Sequence, residues 1–349
     1  MEKAVFFVNL RVMEFQDKIS ALNDLFRDRH RVVLITHIRP DGDALGSQSA
    51  LYHFLKTKAN IESVTAVHQS VPKTIDFIIK DIPFVDPVDS EVAISDADLI
   101  LVTDMNEFSR GGEVEPYLRR STAAKVLIDH HMCPDEGSFD LVFSSPESSS
   151  ACELLYYVLK ALPEVGGDAS KLPLTSLSCL MAGMTTDTNN FANSATPSTF
   201  AMASELIAAG VDRDAIIEQL YNRYRENRLR AIAHILSNEL FIREDGLAVL
   251  PVSAELWHSF GLEDGELEGM VNLPLSIDKV KLCIYLRESE DLSEVRVSIR
   301  SKRGYSANRV AKTYFNGGGH LLASGGKLKL PQDMANFEAA VAFAKTIEL

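Results

Sequence analysis

Three short apolar segments, each followed at once by acidic or histidine residues, constrain the fold of this chain more than any other feature. The segments span 32–35, 99–102 and 126–128, and each is typical of a short buried strand. Helical patterns at 44–58 and 151–159 alternate with them, which indicates a parallel α/β sheet. We therefore predict that the first domain is a doubly wound, mostly parallel sheet.

The polar residues stand where ligands bind in sheets of this kind. In an open α/β sheet, ligands bind beyond the carboxyl ends of the strands. The polar residues at those ends are the segment 37–43, Asp104, and the triplet Asp129, His130 and His131. Because three separate strands deliver acids and histidines to the same edge, we expect these side chains to form one site.

The length of 349 residues favours two domains, since single cores rarely grow beyond about 250–300 residues. We predict a first domain over 15–195, a helical linker over 196–240 and a smaller α+β domain over 241–349. The linker carries three helical patterns, at 199–209, 213–220 and 226–240. The last domain carries strand patterns at 248–252, 281–286 and 295–299, a helix at 307–315, a glycine loop, and a final helix after residue 333.

The bulk composition is that of a soluble protein. Hydrophobic residues make up 46% and charged residues 24%, and no segment approaches the roughly 18 consecutive apolar residues of a membrane span. The apolar run at 4–10 ends without a small-residue cleavage site, which disfavours secretion. Four cysteines without a Cys-x-x-Cys pair fit a reducing compartment. We expect a cytoplasmic protein with no membrane partner.

The formal net charge of −14 argues against binding of long duplex nucleic acid, because an acidic surface repels a polyanion. One segment is an exception, since the chain between Glu294 and Asp333 contains no acidic residue. This basic island comprises Arg296, Arg300, Lys302, Arg303, Arg309, Lys312, Lys327 and Lys329. We therefore expect any nucleotide to bind at a local basic region such as this island, and not to the acidic surface as a whole.

The segment 37–43 places one imidazole and two carboxylates within seven residues after a strand. Gly42 lets the backbone fold tightly, so Asp41 and Asp43 can aim at neighbouring cations. The alternative is a solvated turn with an N-cap for the following helix. A cap or turn role is likewise the alternative for Asp104.

The histidine doublet is the rarer signal, because adjacent histidines at a strand end can point apart, one to a metal and one to a substrate phosphate. Asp187 follows an apolar helical pattern, and the alternative to a ligand role is that it caps that helix. The candidate metal ligands are His37, Asp41, Asp43, Asp104, His130 and Asp187. This oxygen-rich set with two imidazoles suits Mn²⁺ or Mg²⁺ better than Zn²⁺. Two such ions about 3.5–4 Å apart would support displacement at phosphorus, which predicts hydrolysis of phosphate esters.

Four features of this chain resemble, in the same order, the motifs of the DHH phosphoesterase superfamily: the segment 37–43, Asp104, the triplet 129–131 and Asp187. The resemblance extends from about residue 15 to 330. It implies two divalent cations, with Mn²⁺ expected and Mg²⁺ or Co²⁺ as alternatives. The implied ligands are His37 and Asp41 for one ion, and Asp43, His130 and Asp187 for the other.

The resemblance also implies three catalytic residues. Asp104 would bridge the two ions, and His131 would face the substrate phosphate. Asp129 would hold the His131 ring in position. The residues 132–134 that follow the doublet are unusual for the superfamily and leave substrate preference open.

The glycine-rich segments 315–320 and 323–326 resemble the glycine loop of the DHH-associated domain. Glycines let backbone amides approach a phosphate or a base, although a flexible turn is the simpler interpretation. Asn316 stands where the superfamily often has a further glycine. The residues that we expect to bind substrate are Arg110, Arg300, Gly317, Gly318, Gly319 and His320.

Within the superfamily, the chain resembles the compact type that hydrolyses short oligoribonucleotides and pAp. A cyclic di-AMP or linear dinucleotide phosphodiesterase is the first alternative, and a nucleotide sensor without catalysis is the alternative from another class. The glycine-rich segment argues against an inorganic pyrophosphatase, and few aromatics with a strong negative charge argue against a RecJ-like exonuclease.

A homodimer is an open alternative to a monomer. The serine-rich loop at 144–150 is expected to carry no function by itself.

Overall fold

The computed structural model describes residues 15–69 and 71–349, so the apolar run at 4–10 lies outside the described residues. The chain divides into two compact units between Arg223 and Tyr224. Each unit has its own six-stranded sheet. None of the described helices is long and apolar enough to span a membrane.

The sheet of the first unit is parallel throughout. Its strands are β1 (Arg31–Ile35), β2 (Ser63–Val67), β3 (Phe84–Val85), β4 (Leu99–Thr103), β5 (Ala124–Asp129) and β6 (Leu141–Ser144). They are ordered β3-β2-β1-β4-β5-β6, and each neighbouring pair is parallel. Strand order thus reverses between β1 and β4, which is the doubly wound arrangement. The predicted fold class of this domain is confirmed.

Helices cover both faces of this sheet. They are α1 (Gln16–Asp28), α2 (Gly42–Leu55), α3 (Glu91–Ser95), α4 (Glu115–Arg120), α5 (Ala151–Lys160), α6 (Leu174–Asp187), α7 (Pro197–Ala208) and α8 (Arg213–Tyr221). Alternate strand residues enter opposite cores: Leu34 packs with α2, α5 and α6, whereas Val33 packs with α3 and α4. Buried residues of α7 and α8 join the first of these cores.

The second unit contains a mixed sheet. Its strands are β7 (Phe241–Ile242), β8 (Leu247–Val252), β9 (Leu282–Glu288), β10 (Glu294–Ser301), β11 (Gly318–Gly319) and β12 (Ala323–Lys329). Its helices are α9 (Glu226–His234), extended by a π-turn at Ile235–Glu239, then α10 (Ala254–Ser259), α11 (Ala307–Tyr314) and α12 (Phe337–Ala344). The order is β11-β12-β10-β9-β8-β7, with β8 and β9 parallel and the other pairs antiparallel. The predicted α+β class is confirmed.

One local prediction in this unit was wrong. The segment 323–326, expected to belong to a glycine loop, forms the start of β12 and pairs with β10. Glycine is required in this strand because a Cβ on Gly326 would lie 2.3 Å from the carbonyl oxygen of Phe315. The glycines here serve a close approach of two backbones, which is a common reason for glycine within a strand.

Candidate metal centre

The predicted ligands lie where the strand order reverses. His37 follows β1 by two residues, Asp104 follows β4 directly, and Asp129 is the last residue of β5. The chain leaves β1 and β4 toward opposite halves of the sheet, and this divergence opens a crevice at the carboxyl ends of the strands. The fold therefore brings the three polar segments to one edge.

Asp104 lies at the centre of the cluster, with 2% of its surface exposed. Nε2 of His37 is 3.3 Å from its Oδ2, and Nε2 of His130 is 3.5 Å from its Oδ1. Yet Oδ1 accepts no hydrogen bond within the described part of the chain. The backbone of Asp104 is left-handed, with φ of 55°, a conformation that few non-glycine residues adopt. Strain of this kind collects at functional sites.

Asp41 caps helix α2 and also faces the cluster. Its Oδ1 accepts hydrogen bonds from the backbone N–H groups of Asp43 and Ala44, both at 3.0 Å. Ligand atoms of Asp41, His37 and Asp104 lie within 4.8 Å of one another. The capping role anticipated as an alternative is therefore present. It is compatible with metal binding because a carboxylate has two oxygens.

Asp43 is buried against the first turn of α5. Its carboxylate accepts the backbone N–H of Ala151 at 2.6 Å and that of Cys152 at 2.9 Å. A negative charge is stabilised at a helix N-terminus, so α5 fixes the orientation of this carboxylate. Ligand atoms of Asp43, Asp104 and His130 form a second group within 4.8 Å.

The two adjacent histidines face different groups. Their ring planes are inclined by 70°, with centroids 4.9 Å apart. Nδ1 of His131 lies 2.8 Å from Oδ1 of Asp129, whose other oxygen accepts the backbone N–H of His131 at 2.9 Å. Nε2 of His130 lies within 3.8 Å of Asp43, Asp104 and Asp187. The fully buried Asp129 therefore orients one ring, while the other ring lies among the acids.

Asp187, the last residue of α6, reaches the cluster because α2 and α6 cross at glycines. Its Oδ2 lies 3.7 Å from Nε2 of His130. A Cβ on Gly183 would lie 2.9 Å from the carbonyl oxygen of Gly42 and 3.1 Å from Cα of Asp43. The two helices thus pack backbone against backbone, which places the end of α6 beside the start of α2.

Burial and mutual repulsion shift the protonation of the acids. Burial, together with neighbouring carboxylates, raises the pKa of Asp43 and that of Asp187. Burial also acts to raise the pKa of Asp104, but its interactions with His130 and His37 outweigh burial and hold that pKa well below the usual range. For His130, burial opposes the charged form, and the surrounding acids nevertheless raise its pKa well above the usual value.

These observations fit divalent cations. These two groups and a third, formed by Asp104, Asp129 and His131, all share Asp104, whose buried Oδ1 lacks a hydrogen bond from the described residues. Metal ligands must be deprotonated, and the pKa values of Asp43 and Asp187 are raised, so a cation bound here would displace protons from the cluster. Carboxylates combined with imidazoles suit Mn²⁺ or Mg²⁺.

Arg110 lies beside the first of these groups. Its carbonyl oxygen accepts the backbone N–H of Ile38 at 2.9 Å, which ties the turn after β4 to the loop after β1. Burial, and to a smaller extent the positive charge of Arg110, act against the charged form of His37, but the neighbouring acids outweigh both and raise the pKa of His37. The buried Nη1 has no hydrogen-bond partner among the residues described. A phosphate oxygen is a suitable acceptor for such a group.

The other predicted binding residues belong to the second unit. Arg300 lies on the half-exposed face of β10, whose alternate residues are buried. His320 forms a tight turn between β11 and β12, with its backbone N–H bonded to the carbonyl of Ala323 at 2.8 Å. A Cβ on Gly317 would lie 1.9 Å from the carbonyl of Gly325, and Gly319 is left-handed with φ of 133°.

Gly318 has neither of these constraints. A Cβ built there meets no atom within 4 Å, and the residue does not have a left-handed φ. Nothing in the described structure therefore excludes a side chain at this position. Its lack of a side chain is consistent with close approach by a ligand.

The structure also contains supporting residues that the sequence did not reveal. Ser148 offers its carbonyl oxygen to Nδ1 of His130, at 3.3 Å. Glu153 is fully buried in α5 and binds the same loop through Ser149. A glutamate within the apolar run 151–159 was a visible signal, because buried glutamates are rare unless paired.

Fold and site together define a class: a doubly wound α/β protein with a carboxylate and histidine centre, able to hold divalent cations, at its switch point. Residues 31–184 match the model of the DHH family, N-terminal domain, and residues 245–346 match that of the DHHA1 domain. The chain therefore belongs to the DHH family.

Three comparisons place it more closely. It is 29% identical over 299 residues to the bifunctional oligoribonuclease and PAP phosphatase NrnA of Bacillus subtilis (strain 168), covering 85% of this chain and 89% of the relative. It is 31% identical over 302 residues to a probable protein of the same name from Streptococcus mutans, covering 84% and 88%. A solved exopolyphosphatase-related protein from Bacteroides fragilis is similar with a TM-score of 0.84 and 32% identity, covering 95% of each chain.

Proposed function

We propose that this protein is a metal-dependent phosphoesterase that hydrolyses short oligoribonucleotides to mononucleotides, and pAp to AMP. The observation that carries the proposal is Asp104, a buried acid shared by three groups of possible metal-ligating atoms, one of which includes the anchored His131. The names of the B. subtilis and S. mutans relatives support the choice of substrate. Mn²⁺ is the proposed ion, because the donor set mixes carboxylates with imidazoles.

The proposed ligands are the six predicted residues: His37, Asp41, Asp43, Asp104, His130 and Asp187. When bound, the divalent cations would lower the pKa of a water molecule and neutralise charge on the phosphoryl oxygens. The protein's own part is to hold these side chains in place through α5, the glycine crossing and the cap on α2.

We assign His131 and Arg110 to the substrate phosphate. Donation of Nδ1–H to the buried Asp129 fixes the tautomer of His131, so that Nε2 is the atom assigned to a phosphoryl oxygen. The Arg110 guanidinium has a buried N–H without a partner among the described residues, and a phosphate oxygen would satisfy it. Both groups would stabilise the negative charge that develops at phosphorus.

The second domain is assigned to the remote part of the substrate. Arg300 and His320 bring charge and hydrogen-bond donors, and Gly318 presents bare backbone with open space in front of it. The basic island extends over β10, α11 and β12, so a short anionic substrate meets positive charge despite the net charge of −14.

A substrate panel assayed with Mn²⁺ tests this function. The panel comprises a diribonucleotide, a triribonucleotide, pAp, cyclic di-AMP and linear pApA, each with and without EDTA. We expect EDTA-sensitive release of mononucleotides from the short linear RNAs and of AMP from pAp, with slower turnover of cyclic di-AMP. Fastest turnover of cyclic di-AMP would replace the proposal with the cyclic dinucleotide alternative, and no turnover of any member would favour a sensor.

A further inference from the structure

Glu153 is a fully buried acid that has no place in the metal centre described above. Its carboxylate accepts hydrogen bonds from the backbone N–H of Ser149 at 3.0 Å and from the hydroxyl of Thr199 at 2.7 Å. The hydroxyls of Ser149 and Ser198 also donate to it. All four donors are neutral, and among the residues that the structure describes no positively charged group pairs with this carboxylate. A buried charge is costly unless it is paired with an opposite charge, so a hydrogen-bonded carboxylate in this position calls for a physical explanation.

One of these bonds leads directly to a proposed metal ligand. The N–H of Ser149 and the carbonyl of Ser148 belong to the same peptide group, and in a trans peptide they point in opposite directions. The N–H is bound by Glu153 at 3.0 Å, and the carbonyl oxygen lies 3.3 Å from Nδ1 of His130. A single peptide group therefore separates the carboxylate from the imidazole.

Helix capping alone does not require this arrangement. Glu153 occupies the third position of α5, and its own N–H is bound by the N-cap Ser150 at 2.9 Å. In a capping box, a glutamate at this position reaches back to the backbone N–H of the N-cap residue. Here it binds the N–H of Ser149, one residue earlier. That residue provides the peptide group that faces His130.

We propose that Glu153 is a positioning residue that acts on His130 through the Ser148–Ser149 peptide group. A charged acceptor on the N–H polarises the peptide and makes its carbonyl a stronger acceptor for the Nδ1–H of His130. The tautomer of His130 is then fixed with Nε2 toward the acids, which lie within 3.8 Å. Carboxylates that bind a ligating histidine directly tune its basicity in the same way. The serine-rich loop at 144–150, expected to carry no function by itself, would thus hold the relay.

The proposal rests on the metal centre of the proposed function and is tested by Mn²⁺ affinity rather than turnover. Glu153→Gln keeps the shape and an oxygen for the Ser149 N–H but removes the charge. We expect its dissociation constant for Mn²⁺, measured by equilibrium titration, to rise by about tenfold or more. Thr199→Ala is the matched control, because it removes another donor to the same carboxylate and leaves the relay intact. It should lower thermal stability and leave the Mn²⁺ affinity at the wild-type value.

The outcomes separate this inference from the function on which it rests. A wild-type protein that binds no Mn²⁺ overturns the metal centre and the relay together. A folded Glu153→Gln variant that binds Mn²⁺ within about twofold of the wild type overturns the relay alone. If Glu153→Gln does not fold, nitrogen-15 NMR of His130 in the wild-type protein with diamagnetic Mg²⁺ decides instead. The relay requires a proton on Nδ1, and a proton on Nε2 would overturn it.

Discussion

Asp104 belongs to three groups of ligand atoms, so its replacement disturbs all three at once. Asp104→Ala should lower kcat with Mn²⁺ by about 10²–10³-fold, because a charge that offsets two cations is lost at the reacting centre. Bound Mn²⁺ per protein, measured after equilibrium dialysis, should fall as well. Asp214→Ala is the control, because it also removes an acid. The Asp214 side chain is 99% exposed and belongs to none of the described ligand groups. Near-wild-type turnover of Asp104→Ala would reject the assignment.

His131 lies next to a proposed ligand but is assigned to the substrate. His131→Ala should leave the Mn²⁺ content unchanged and slow turnover by about 10²-fold, since a positioned proton donor contributes about 10²–10⁴-fold. Metal analysis of the purified variant, together with steady-state rates, separates the two effects. Loss of one metal equivalent would instead make His131 a ligand. His258→Ala, at a 60% exposed histidine, controls for loss of a surface imidazole.

At the scale of elements, the crossing of α2 and α6 sets the spacing of the metal centre. Gly183→Ala should destabilise the first unit by about 1–3 kcal/mol, because the new Cβ would lie 2.4 Å from Sγ of Cys152 and 2.9 Å from a backbone oxygen. Chemical denaturation measures this loss. Gly137→Ala is the matched control, since its Cβ would meet only one atom, 4.0 Å away, and its stability should change by less than about 0.5 kcal/mol. Equal stabilities would contradict a backbone-to-backbone crossing.

The segment between α11 and β12, which includes β11, allows a similar comparison of neighbouring glycines. Gly317→Ala should destabilise the second unit, because its Cβ would lie 1.9 Å from the carbonyl oxygen of Gly325. Gly318→Ala meets open space, so its midpoint of unfolding should equal that of the wild type. Its KM for a dinucleotide should nevertheless rise, because a methyl group would intrude where the substrate is proposed to lie. Unchanged KM would remove Gly318 from the binding site.

The elements also show what the sequence could and could not predict. The inner strands β1, β4 and β5 were predicted because buried strands form continuous apolar runs. The start of β12 was predicted as loop, since Gly325 and Gly326 weaken any strand signal and their partner β10 is distant in sequence. The hydrogen bonds of Glu153 were not predicted for the same reason, because Ser149 and Thr199 are brought together only by the folded chain. Local pattern identified candidate ligands, whereas long-range contacts determine which groups support them.

At the scale of the whole molecule, charge distribution bears on the choice of substrate. The chain carries a net charge of −14, while its basic island has eight basic residues and no acid. A long polyanion would be repelled wherever its phosphates extend beyond the island, and a short one would not. Substrate length should therefore matter more than base sequence.

The relative rate on short and long RNA tests this account most directly. A diribonucleotide or triribonucleotide and an RNA of about 24 nucleotides, each labelled at the 5′ end, would be compared as kcat/KM with Mn²⁺ at two salt concentrations. We expect the short RNAs to be hydrolysed far faster, with little dependence on salt, because few phosphates are contacted. Equal or faster degradation of the long RNA, with a steep salt dependence, would contradict the account and favour a single-strand exonuclease.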